Sequence, residues 1–131
     1  MMDSTAPTRV LVVDDSPAIR SALSAVIASH PHLDVVGTAG DGAEGVDAAA
    51  RLCPDVVLID FKMPRMDGVE ATRAILAHAP ATRIVMLSAY DDMSIITAAV
   101  EAGVDDFLRK GVRAAAMHDA LLASSSHPHH S

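Results

Sequence analysis

Five polar side chains stand where short apolar runs end, and together they carry the ingredients of phosphoryl transfer. Asp14 and Asp15 follow Arg9–Val13, Asp60 follows Val56–Ile59, Ser88 follows Arg83–Leu87 and Lys110 follows Asp106–Arg109. If the runs are strands of one parallel sheet, their C-terminal tips share an edge, the usual place for a ligand in an open α/β sheet. With the first and third strands adjacent, three carboxylates converge within a few Å and repel one another unless a cation holds them or one takes a proton. Oxygen donors without His or Cys nearby suit a hard ion, Mg²⁺ or Mn²⁺. Asp60 is then the candidate nucleophile, since a carboxylate can carry a phosphoryl group as an acyl phosphate. The cation and Lys110 would neutralise the equatorial oxygens of the group in flight, and Ser88 would donate a hydrogen bond to it.

Each of these residues has an ordinary reading on its own. Asp14 and Asp15 suit a helix start, Ser88 a strand end, and Lys110 solvent. Asp67 reads as the cap of a following helix rather than a ligand. Met63 and Met66 read as packing of a turn, and Asp91 and Asp92 as solvated loop charges. It is the coincidence of carboxylates, lysine and hydroxyl at matching strand ends that points to a site.

The elements that must position them alternate. Val56–Ile59, with three β-branched residues, is too apolar to have a wet face and is expected to be buried on both sides. Leu33–Ala39 reads as the second strand. Between the strands run apolar stripes at helical spacing: Ile19, Ala22, Leu23, Val26 and Ile27; Val46, Ala49, Ala50 and Cys53; Val69, Thr72, Ile75 and Leu76; Ile96, Ala99 and Val100; Met117 and Leu121. Pro17 fits a first helical turn, and Pro31, Pro54 and Pro80 close units. Five alternations with short connections call for a doubly wound parallel sheet with helices on both faces and right-handed crossovers.

The 131 residues suffice for one domain with a core of aliphatic side chains, since aromatics make up only 2%. A formal charge of −7 argues against a bare nucleic-acid or anionic-membrane binder. The lone Cys53 has no intramolecular disulfide partner and reads as a small apolar residue near a helix end. No signal-peptide core precedes residue 9 and no run approaches membrane-span length, so cytoplasm is the expected location. Residues 1–8 are expected to be a flexible N-terminus, 9–123 the domain, and the Ser- and His-rich 124–131 a disordered tail.

The phrases Val-Val-Asp14-Asp15-Ser-Pro, Asp60-Phe-Lys-Met-Pro-Arg-Met-Asp67-Gly, Ser88-Ala89 and Phe107-Leu-Arg-Lys110 resemble the receiver domains of bacterial two-component response regulators. Leu33–Ala39 and Gly103–Lys110 are similar to the subfamily joined to a LuxR-type helix-turn-helix. The resemblance implies a flavodoxin-like (βα)5 fold with strand order 2-1-3-4-5. It implies phosphorylation of Asp60 by a histidine kinase or a small phosphodonor, with Asp15, Asp60 and the backbone carbonyl of Lys62 as metal ligands and Asp14 as the supporting acid. It makes Ser88 the switch hydroxyl, Phe107 the switch aromatic and Lys110 the phosphate contact. Ala89 would leave the phosphoryl group accessible, and Lys62 and Tyr90 would join it in tuning its lifetime. A phosphotransfer protein, an output domain or partner protein, and a phosphorylation-dependent homodimer are the implied partners. Ser88 stands where threonine is commoner, and Gly111 where the family often has Pro or Asp. No helix-turn-helix follows the fifth helix, so direct DNA binding is not expected of this chain, which reads as a stand-alone or excised receiver.

Two other classes compete. A haloacid-dehalogenase-type phosphohydrolase also uses an aspartyl nucleophile, but a second acid would stand at Lys62. A flavodoxin-like nucleotide or flavin binder would need a glycine-rich loop after the first strand, where Asp-Asp-Ser-Pro repels an anion.

Overall fold

The fold, taken from a computed structural model, describes residues 6–89 and 92–123. Tyr90, Asp91, the N-terminal residues 1–5 and the tail 124–131 lie outside the described residues. Strands and helices alternate as the apolar runs and stripes predict: β1 (Thr8–Val13), α1 (Pro17–Ala28), β2 (Leu33–Ala39), α2 (Gly42–Leu52), β3 (Val56–Asp60), α3 (Gly68–His78), β4 (Arg83–Ser88), α4 (Met93–Ala102), β5 (Asp106–Arg109) and α5 (Ala114–Leu122). All pairings are parallel and the strand order is β2-β1-β3-β4-β5, which makes this the flavodoxin-like (βα)5 arrangement. β3 is therefore central, flanked by β1 and β4.

The period-two alternation of the strands divides the core into two layers. Leu11, Val13, Val57, Ile59, Ile84 and Met86 face Ala48, Ala49, Val69, Ile75 and Ala99 of α2, α3 and α4. Val10, Val12, Val56, Leu58, Val85 and Leu87 face Ile27 of α1 and Met117, Ala120 and Leu121 of α5. Every residue of β3 is buried, as its composition requires. Each Leu or Ile so buried contributes roughly 1.5–3 kcal/mol.

Local signals set the helix starts. Ser16, Asp41, Asp67 and Asp92 each accept a backbone N–H of their own first turn. Asp67 completes a capping box, its carboxylate taking the Glu70 N–H while Glu70 takes that of Asp67. Asp92, expected as a loop charge, is exposed and also caps α4; the hydrogen bonds from Ser94 hold its carboxyl below the ordinary value.

Several helical faces differ from the sequence expectation. Val100 is 63% exposed, because the inward stripe of α4 runs through Ala98, Ala99 and Ala102 and Val100 lies to one side. Ala22 is exposed and Ile19 is 37% exposed; only Ile27 of α1 is fully inside, leaving the first half of the helix to wall an apolar groove with α5. In α2 the buried stripe is Gly45, Ala48 and Ala49, with Ala50 outside. Cys53 is the exposed C-cap of α2 in the left-handed conformation (φ 49°) rather than a packed residue.

Candidate functional site

The strand order brings the tips of β1 and β3 side by side, and Asp14, Asp15 and Asp60 each offer a carboxylate oxygen within 4.8 Å of the others. Asp14 and Asp60 are buried at 1% and 4% exposure, whereas Asp15 is exposed. Asp14 is tied on several sides: its N–H donates to Ala39 O (3.1 Å), its Oδ1 accepts from Ser16 N (2.9 Å), and its carbonyl accepts from Arg20 Nη1 (2.7 Å). Its Oδ2 is buried without a hydrogen bond.

Asp60 is held by the turn after β3. Phe61 N donates to Leu87 O (3.0 Å) and Gly68 N to Phe61 O (2.8 Å), so the loop folds back on the strand end. Gly68 permits this approach: a Cβ there would lie 2.5 Å from the Asp60 carbonyl oxygen and 3.0 Å from Phe61 Cα. Within the loop, Met66 N donates to Pro64 O (2.7 Å) across Arg65, whose φ is 69°. That three-residue turn strains a non-glycine residue. Met63 is buried and Met66 half-buried, packing the turn as expected.

Lys110 reaches the acids from β5's tip. Its Nζ lies 3.2 Å from Asp60 Oδ1 and 3.7 Å from Asp14 Oδ2. The backbone sets that reach, because Lys110 N donates to Ser88 O (2.9 Å) and joins the two strand ends. Gly111 follows with φ 93° and open space around it, a left-handed turn that a side chain would strain. Burial pushes the Asp60 carboxyl above 3.8; Lys110 opposes the rise, and Asp14 and Asp15 add to it.

Asp15, Asp60, Lys62, Met63, Pro64, Ser88, Ala89 and Lys110 line an open cavity of about 500 Å³ over this cluster. Ser88 is buried, while Lys62 and Ala89 are exposed at the rim. Phe107 is half-buried against the α2–α3–α4 layer. Met63 and Pro64 join the lining, and Arg20 its support; the sequence assigns Met63 only a packing role in the turn and nothing to Arg20, since a helix-surface arginine carries no pattern. The all-oxygen carboxylate set and the buried Asp14 Oδ2, which accepts no hydrogen bond, fit a hard divalent cation.

A parallel five-stranded sheet thus carries an acidic cluster and a lysine at its strand tips. Residues 10–122 match the response regulator receiver domain, and the chain belongs to that family. It is 39% identical over 117 residues to the transcriptional regulatory protein LiaR of Bacillus subtilis, covering 89% of this chain and 56% of LiaR. It is 45% identical over 106 residues to a protein-glutamate methylesterase/protein-glutamine glutaminase of Myxococcus xanthus, covering 79% of this chain and 30% of that protein. The chain thus spans about half or less of the curated relatives it matches. Among solved structures, the signal receiver domain of NarL from Mycobacterium tuberculosis superposes with TM-score 0.85 at 32% identity, over 89% of this chain and 94% of that one. The receiver domain of Thermotoga maritima CheB gives 0.81 at 36%, over 88% and 93%. Receiver domains bind Mg²⁺ at an acidic pocket and work with histidine kinases or phosphotransfer proteins and with output domains. No helix among the described residues is long and apolar enough to cross a membrane.

Proposed function

We propose that this chain, with residues 9–123 as its working unit, accepts a phosphoryl group on Asp60 from a histidine kinase or small phosphodonor. The observation that carries the reading is Asp60 itself, buried at the tip of β3 with the Lys110 ammonium 3.2 Å away and two further carboxylates beside it. An Asp60 carboxylate oxygen attacks phosphorus. The bond to the donor breaks with its electron pair leaving on the donor, the imidazole nitrogen of a phosphohistidine or the carboxylate of an acyl phosphate. Lys110 balances charge on the equatorial oxygens and the Ser88 hydroxyl donates to the arrived group.

Asp14, Asp15, Asp60 and the Lys62 carbonyl would hold Mg²⁺, or Mn²⁺, which supplies charge neutralisation when bound. A related CheY from Borrelia burgdorferi, 26% identical with TM-score 0.82, was solved with CheX, BeF₃ and Mg²⁺. That family precedent supports the assignment. Once modified, Ser88 and Phe107 shift together and change the α4–β5–α5 surface, where Met93 is 69% exposed and Arg109 and Arg113 are exposed. Lys62, Ala89 and Tyr90 tune the lifetime of the phosphoryl group. A partner or output domain, or a second phosphorylated copy, would read the surface. The site works in the cytoplasm, where the kinase catalytic region and ATP are found.

Acetyl phosphate with Mg²⁺ is expected to add the mass of one phosphoryl group to the intact chain, and Asp60→Asn to take none. A wild type that stays unmodified with acetyl phosphate and with phosphorylated kinases would overturn the reading.

A further inference from the structure

We infer that Arg20 is a positioning residue for the acidic cluster, acting through the Asp14–Asp15 peptide; the inference rests on the reading proposed above. Arg20 lies about one turn into α1, away from the cavity lining, yet its Nη1 donates to the Asp14 carbonyl at 2.7 Å. Asp14 has other anchors: Ala39 O takes its N–H and Ser16 N holds its Oδ1. Asp15 has none. It is exposed and makes no hydrogen bond or ion pair among the described residues. Because the peptide is planar, fixing the Asp14 carbonyl also fixes the nitrogen and Cα of Asp15. Arg20 therefore fixes the peptide that enters Asp15, as Ser16 N on Asp14 Oδ1 fixes the one that leaves it, and it does so with a charge-assisted bond that a neutral side chain cannot replace.

Two variants separate this from a general loss of fold. Arg20→Gln removes the charge, and Arg20→Lys keeps it with a single donor head. The readouts are the Mg²⁺-dependent rise in melting temperature of the unphosphorylated chain and the Mg²⁺ concentration that half-saturates labelling by acetyl phosphate. In Arg20→Gln the half-saturating Mg²⁺ is expected to rise about tenfold or more, the usual consequence of losing a group behind a metal ligand. Labelling at saturating Mg²⁺ should stay near wild type, and Arg20→Lys should recover part of the affinity. An Arg20→Gln chain whose Mg²⁺ dependence matches a normally labelled wild type overturns this inference alone. So does one whose labelling stays low at saturating Mg²⁺, since the defect is then not in metal affinity. A wild type that neither responds to Mg²⁺ nor takes label removes the underlying reading, and the role of Arg20 with it.

Discussion

The Lys110 ammonium lies 3.2 Å from Asp60 although their strands are not neighbours, β4 running between them. It stands beside a group of three carboxylates, two of them buried. Replacing it with methionine keeps most of the apolar stem and leaves the acids uncompensated. Lys110→Met is expected to cost about 1–3 kcal/mol at neutral pH, less than a fully buried pair because the lysine is 30% exposed. The loss should shrink in acid, and millimolar Mg²⁺ should restore part of it. Urea unfolding with and without Mg²⁺ checks this; an equal loss at every pH would contradict it.

Asp60 itself makes the fold sensitive to pH. Burial raises its pKa above 3.8, against the pull of Lys110, so the folded chain holds that proton more tightly than the unfolded chain. The sign follows from linkage: this contribution is whole below 3.8 and is lost as pH climbs through the raised folded value. Asp60→Asn cannot lose a proton, so its metal-free stability should fall less than wild type from about pH 4 upward. Parallel stability curves for the two proteins would refute the assignment.

Gly68 is the second constraint on Asp60. An added methyl would meet the Asp60 carbonyl oxygen at 2.5 Å, and backbone cannot step aside as a flexible side chain can. Gly68→Ala should cost about 1–3 kcal/mol, the usual range for overpacking. It should also slow labelling of Asp60 by displacing the strand end. Melting curves and intact-mass time courses measure the two effects separately.

Arg83 ties the opposite end of β4 to α5. Its side chain is buried, with Nη1 donating to Leu121 O at 3.0 Å and Nη2 to Ala120 O at 2.6 Å. Arg83→Met is expected to destabilise the chain by about 2–4 kcal/mol, since two bonds from a charged donor vanish and carbonyls lose partners. Amide exchange should rise first in the last turn of α5. Unchanged protection there would show that the clamp is dispensable.

Much of the architecture is legible in the residues because it rests on local signals. Apolar runs ended by Asp60, Ser88 and Lys110 locate strands, and Asp67 followed by Glu70 marks a helix start through bonds three residues apart. The convergence of Asp14, Asp15 and Asp60 needs only the adjacency of β1 and β3. What escapes such reading is contact across sequence. Arg83 reaches α5 from 37 residues away, and nothing in its neighbours predicts burial of a guanidinium. Arg20 looks like any surface helix residue until the strand tip beside it is placed. Val100 looks inward in the sequence because α4 is apolar around most of its circumference, so its residues do not single out the inward stripe.

Asp15 stands outside this web of dependence. It is wet and makes no hydrogen bond or ion pair among the described residues, so the sheet is expected to close just as well around an asparagine there. On the proposed function, folding and ion capture would draw on separate members of the same trio: Asp14 and Asp60 would serve the scaffold as well as the chemistry, Asp15 the chemistry alone. Asp15→Asn should accordingly melt like wild type without Mg²⁺ and fail to be stabilised by it, a clean lesion for silencing the switch in a cell while leaving its shape intact.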